Sequence, residues 1–120
     1  MLQSMKFVIA VVKPFKLDEI LEALTRLGIQ GLTVTEVRGY GRRKGPTEYY
    51  RGAEFTSKFV PMLKLEVAVS SDQAEKVIEA IIRAGRTGEV GDGKIFVCDL
   101  IQVVRIRSEA SDEVPPRKAA

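Results

Sequence analysis

Two stretches of this 120-residue chain hold residue types that could do chemistry. The first, Thr87-Gly88-Glu89-Val90-Gly91-Asp92-Gly93-Lys94, sets three glycines and a lysine just ahead of an apolar run. Glycines permit backbone turns whose amides can face phosphate oxygens, and Lys94 adds a compact positive charge. The spacing is neither that of a Walker loop nor that of the dinucleotide fingerprint, and by chemistry alone an ordinary turn accounts for it nearly as well. Arg105 and Arg107 stand two apart on what reads as the last strand, so they share a face and offer guanidinium forks for phosphate. Taken separately they read as a solvated strand end. Near an oligomer interface they would complete a triphosphate site begun by Gly91, Asp92, Gly93 and Lys94.

The second stretch is Gly41 to Lys58, 18 residues with neither helical nor strand period, which exceeds the usual loop of so small a domain. It carries Arg42, Arg43, Lys44, Glu48, Tyr49, Tyr50, Arg51 and Glu54. Tyr and Arg combine large contact area with directed hydrogen bonds, so Tyr49, Tyr50 and Arg51 are candidate partner contacts. A loop without function is the plain alternative.

Several chemistries lack their residues. With no His, no Trp and a single Cys, the chain has no His base, no cysteine pair and no evident metal-ligand cluster. Cys98, inside Ile95-Phe96-Val97-Cys98, reads as a buried, inert thiol. Nineteen basic against 16 acidic residues give a formal charge of +3, too mild and interspersed for a nucleic-acid track. The first residues lack the pattern of a secretion signal, and no apolar run approaches the roughly 20 residues a membrane span needs. A cytoplasmic chain without direct membrane insertion is expected.

The elements that must position these residues follow from periodicity. Lys6 to Val12 reads as a strand with apolar residues on both faces, closed by Pro14. Leu17 to Leu27 repeats Leu17, Ile20, Leu21, Leu24 and Leu27 at helical spacing before Gly28. Leu32 to Tyr40 and Val60 to Val69 read as strands. Ser70 with Gln73 suggests a capping box for a helix whose stripe is Ala74, Val77, Ile78 and Ile81. Gly85, Gly88, Gly91 and Gly93 mark a loop before a last strand from Ile95 to Ile106, and 109–120 reads as a polar, mobile tail. The order βαββαβ is the ferredoxin-like α+β arrangement, one domain over 1–108. Two helices cover one face of such a sheet, so the second apolar face of the first strand predicts burial against other copies of the chain.

Four blocks carry a resemblance to a known family: Val12 to Asp18, Gly31 to Val37, Tyr50 to Phe55, and Thr87 to Phe96 followed by Val104 to Arg107. In collinear order over roughly residues 5 to 108, the chain resembles the PII signal-transduction proteins, regulators of nitrogen metabolism. The resemblance implies a homotrimer with ATP or ADP bound between neighbouring subunits, ATP with its Mg²⁺. Gly41, Arg42, Gly91, Asp92, Gly93 and Lys94 would come from one subunit, and Gly31, Leu32, Thr33, Glu66, Arg105 and Arg107 from the next. Lys13 and Arg43 would lie near an effector pocket. The long loop would engage an ammonium transporter or a nitrogen- or carbon-metabolism protein, with Arg51 as its pore-entering tip.

The chain also departs from the family pattern. Phe55 stands where many bacterial members carry a nucleotidylated tyrosine, and Ala53 where others carry a phosphorylated serine, so neither acceptor oxygen is present. Arg43 replaces a magnesium-coordinating glutamine, and Met62, after Pro61, replaces a lysine that pairs with 2-oxoglutarate. A guanidinium has only donors and repels a cation, so weak or absent 2-oxoglutarate response is expected. A weak ATP-hydrolysing enzyme using Glu66 and a nucleic-acid-binding adaptor are the alternatives to a regulator that is not an enzyme.

Overall fold

The computed structural model describes residues 4–40, 47–50, 53–56 and 59–108. β1 (Met5–Val12) runs into a single 3-10 turn, Pro14–Lys16, where proline's fixed φ suits the first turn position. α1 (Leu17–Arg26) stops at Gly28, whose φ of 85° lets Gly28 N donate to Thr25 O and Ile29 N to Leu24 O. These two bonds are a Schellman stop, and Ile29 folds back onto the core beside Leu24 as that motif favours. Then come β2 (Thr33–Tyr40), a ribbon of β3 (Thr47–Tyr50) and β4 (Ala53–Thr56), β5 (Phe59–Ser70), α2 (Ser71–Gly85) and β6 (Gly93–Leu100).

The four long strands form one antiparallel sheet in the order β2-β5-β1-β6. Apart from the ribbon, this is the second-third-first-fourth order of a ferredoxin-like fold, as the sequence predicts. Register explains the core. Val8 stands beside Val67, Ala10 beside Leu65 and Val12 beside Leu63 on the face the helices cover. Ile20 and Leu24 of α1 and Ala74, Val77 and Ile81 of α2 pack there with the buried strand residues. Each fully buried aliphatic side chain contributes about 1.5–3 kcal/mol, so this layer fixes both helices to the sheet. The other face carries Phe7, Ile9 and Val11, only half-buried, with Phe96 51% exposed beside Ile9.

Five expectations need correction. Ser70 is the N-cap residue of α2 but makes no side-chain cap bond, and Gln73 Nε2 donates instead to Leu27 O at the end of α1. Gly85 is the buried last residue of α2, not part of the loop: a Cβ there would stand 3.3 Å from Ile20 Cδ1, so its small size lets the helices approach. Cys98 is exposed, because it lies beside Phe7 on the face without helices. Regular structure exists within 41–58, where Thr47 to Tyr50 pairs with Ala53 to Thr56 in an antiparallel register too short for a periodicity to register. The last strand ends at Leu100 and not at Ile106, so strand alternation does not set the faces of Arg105 and Arg107.

Candidate functional site

β6 begins where chain geometry requires glycine. Gly93 has φ 108° and pairs with Val12, and a Cβ on it would sit 1.7 Å from Val11 O. Gly88 and Gly91, at φ 86° and 92°, bend the preceding segment back on itself. The bend brings Asp92 under the start of its own loop. Asp92 Oδ2 accepts hydrogen bonds from the amides of Thr87 and Gly88, both at 2.9 Å, while Oδ1 accepts from the Thr87 hydroxyl at 2.5 Å. Lys13, just past β1 and buried, donates to Thr87 Oγ1 and pairs with Asp92 Oδ1, each at 3.0 Å. Glu89 N donates to Thr87 Oγ1 at 3.1 Å. The Thr87 hydroxyl is the main reason that the Asp92 carboxyl lies well below the usual carboxylate range, with the two amides and Lys13 adding to it against partial desolvation.

This loop forms one wall of a cleft of about 640 Å³. Gly91, Asp92, Gly93 and Lys94 meet Gly39 and Tyr40 at the end of β2 there, with Val60, Met62 and Phe96 as an apolar floor. Met62 is buried and brings no charge to that floor. The volume suits a small molecule, and the wall joins left-handed glycines to an exposed lysine.

Gly31 and Arg105 lie elsewhere, together on a second cleft of about 570 Å³ between β5 and the α1–β2 connection. Thr33 and Glu66 are register partners on the sheet face without helices, and Leu32 packs against the core next to them. Lys94 on β6 and Thr33 on β2 are three strand spacings apart, about 14 Å, too far to share one phosphate within a protomer. Glu66 lies 3.8 Å from Lys64. Arg107 is exposed in a turn. Tyr49 and Tyr50 fall on β3, and Gly41, Arg42, Arg43 and Arg51 lie outside the described residues. Lys13, expected near an effector, is buried on Asp92, and no residue pattern around it in the sequence marks that burial. Among the described residues no group of three or more His, Cys, Asp or Glu is arranged to hold a metal, and no helix is long and apolar enough to cross a membrane.

Fold and site together define a ferredoxin-like domain with a glycine-rich loop at the mouth of a cleft on the edge strand. The family model for nitrogen regulatory protein P-II matches residues 5–110. A nitrogen regulatory protein P-II of Rhizobium etli is 57% identical over 108 residues, 90% of this chain and 96% of the relative. The nitrogen regulatory protein GlnK of Escherichia coli K12 is 53% identical over 109 residues, 91% of this chain and 97% of the relative. The crystal structure of Arabidopsis thaliana PII bound to citrate superposes with a TM-score of 0.76 at 39% identity, covering 92% of this chain and 90% of that one. The chain belongs to the P-II family of nitrogen regulatory proteins.

Proposed function

We propose that this chain is a cytoplasmic, trimeric signal-transduction regulator that binds ATP or ADP between subunits and is not an enzyme. The observation that carries the reading is the division of the candidate residues. Gly91 to Lys94 line one cleft while Gly31 and Arg105 line another, and Thr33 and Glu66 lie apart from Lys94 on the uncovered sheet face. Two adjoining copies would bring such halves together. In that arrangement the amides around Gly91 and Gly93, with Lys94, would meet phosphates from one side. Arg105 and Arg107 of the next copy would meet them from the other, with Leu32 and Thr33 of that copy at the base. Gly41 and Arg42 would close the first side. Mg²⁺ would arrive with ATP, held through the nucleotide's phosphates.

A ligand can select a state of the long loop only if it binds that state more tightly, and this is how nucleotide occupancy would reach a partner. The partner would be an ammonium transporter or a nitrogen- or carbon-metabolism protein, engaged through Tyr49, Tyr50 and Arg51. Arg51→Ala is expected to weaken capture of an ammonium transporter at least tenfold, the cost of a hot-spot arginine, with ATP affinity unchanged. Unchanged capture would count against that role.

Titration calorimetry is the central test. ATP and ADP are expected to bind saturably, while 2-oxoglutarate added to protein saturated with Mg²⁺ and ATP gives no signal. Arg43 and the uncharged Met62 are the reasons for that silence. No heat with either nucleotide would overturn the nucleotide reading, and saturable micromolar 2-oxoglutarate binding would overturn its second part.

A further inference from the structure

We propose that Lys13 and Asp92 are positioning residues, which hold the segment Thr87 to Asp92 in the form that receives an anion without touching that anion themselves. The inference rests on the nucleotide reading above and deepens it. Its ground is a closed network. Lys13 is 4% exposed, and its ammonium faces Thr87 Oγ1 and Asp92 Oδ1 at the same 3.0 Å. Both oxygens of Asp92 are occupied, one by two backbone amides and the other by a hydroxyl and the ammonium. The Thr87 hydroxyl donates to Asp92 and accepts from Lys13 and Glu89 N. A carboxylate with its acceptor sites filled in this way has little left for a ligand, and a lysine buried on it is not presented to solvent.

The network also joins distant parts of the chain. Lys13 directly follows β1, and the residues it holds precede β6, so the network clamps the loop to the end of a central strand beside the cleft. A neutral amide in place of the carboxylate is a weaker acceptor for the Thr87 and Gly88 amides and turns its NH2 toward the Lys13 ammonium, so the left-handed Gly88 and Gly91 lose restraint. The charges make the inference testable by sign. An anion site that loses a neighbouring carboxylate should gain affinity if that carboxylate acts only through its field. A positioning carboxylate gives the opposite result.

The experiment measures ATP affinity by calorimetry and amide exchange at Gly88 in the ligand-free full chain, for Asp92→Asn, Lys13→Met and the double variant. Asp92→Asn is expected to raise Gly88 exchange and weaken ATP binding, each roughly tenfold or more, as loss of charge-assisted hydrogen bonds implies. Because Asp92→Asn alone strands a buried ammonium, the double variant is expected to bind ATP better than Asp92→Asn does, the non-additivity of two contacting residues. Thr87→Val, which keeps the side-chain shape, is expected to change both readouts in the same direction by less and covers the case in which Asp92→Asn fails to fold. Tighter or unchanged ATP binding by Asp92→Asn, or losses that simply add in the double variant, would overturn the proposal. If the unmodified protein binds no ATP, the nucleotide reading fails by itself. Gly88 exchange then decides the clamp, and exchange unchanged by Asp92→Asn overturns it.

Discussion

The carboxyl of Asp92 is a strong acid for a residue with a quarter of its side chain exposed, and the cause is local. The Thr87 hydroxyl does most, desolvation opposes it, and the Thr87 amide, Lys13 and the Gly88 amide reinforce it. Since the folded protein holds this group below its ordinary value of 3.8, the folded state favours the ionised form. Its contribution to stability is therefore complete above that ordinary value and is lost as pH falls through the lower folded value. The stability difference between the unmodified protein and Asp92→Asn, measured by urea unfolding, is expected to stay constant from about pH 5 to pH 8 and to narrow below about pH 4. A difference that fades between pH 5 and pH 7 would show that another group controls the loop. Part of this was legible in the sequence, where Gly88, Gly91, Gly93 and Lys94 announce a special backbone by residue type. The partner that fixes the loop was not, because Lys13 and Thr87 are 74 positions apart and a lysine before a proline carries no mark of burial.

Where β6 starts, one glycine decides whether the edge strand can pair with β1. A side chain at Gly93 would meet the Val11 carbonyl at bonding distance in a backbone conformation that L-residues avoid. Gly93→Ala is expected to cost about 3 kcal/mol or more, combining left-handed strain with overpacking, and to lower the urea midpoint accordingly. A midpoint within about 0.5 kcal/mol of the parent would mean that β6 enters the sheet by another path. At this scale the long elements were readable because their burial is periodic. Val8, Ala10 and Val12 alternate into the core, and Ile20 and Leu24 recur one helical turn apart. Element ends were not readable. Val103 to Ile106 keeps strand-like residue types past Leu100, where pairing with β1 stops at Met5, and four-residue strands such as β3 and β4 hold too few positions for alternation to stand out. Ser70 and Gln73 have capping-box spacing, yet Gln73 reaches the end of α1, a tertiary contact that local pattern does not encode.

For the molecule as a whole, the unsolved surface is the sheet face opposite the helices. Phe7, Ile9 and Val11 run down its central strand, with Phe96 beside Ile9 and Cys98 beside Phe7 on the edge strand. Phe96 is 51% exposed and Cys98 is exposed, so one protomer leaves a contiguous apolar surface open to water, which closed oligomers of identical chains bury. The same face carries Thr33 and Glu66, which makes assembly and the proposed nucleotide site one problem. Phe7→Glu places a charge on the central strand of that face, at a residue that lines neither cleft. The parent is expected to sediment at about 40 kDa, three copies of a 13.3 kDa chain, and Phe7→Glu at the mass of one copy, since an unpaired buried charge costs more than an interface returns. Because β6 still pairs with β1 and the core lies on the other face, circular dichroism should keep its folded form. The monomer is then expected to lose ATP binding at least tenfold although Gly91 to Lys94 are intact, the result of removing half of a shared site. A folded monomer with parental ATP affinity would place the whole nucleotide site within one chain, and a parent that sediments as a monomer would remove the trimer itself.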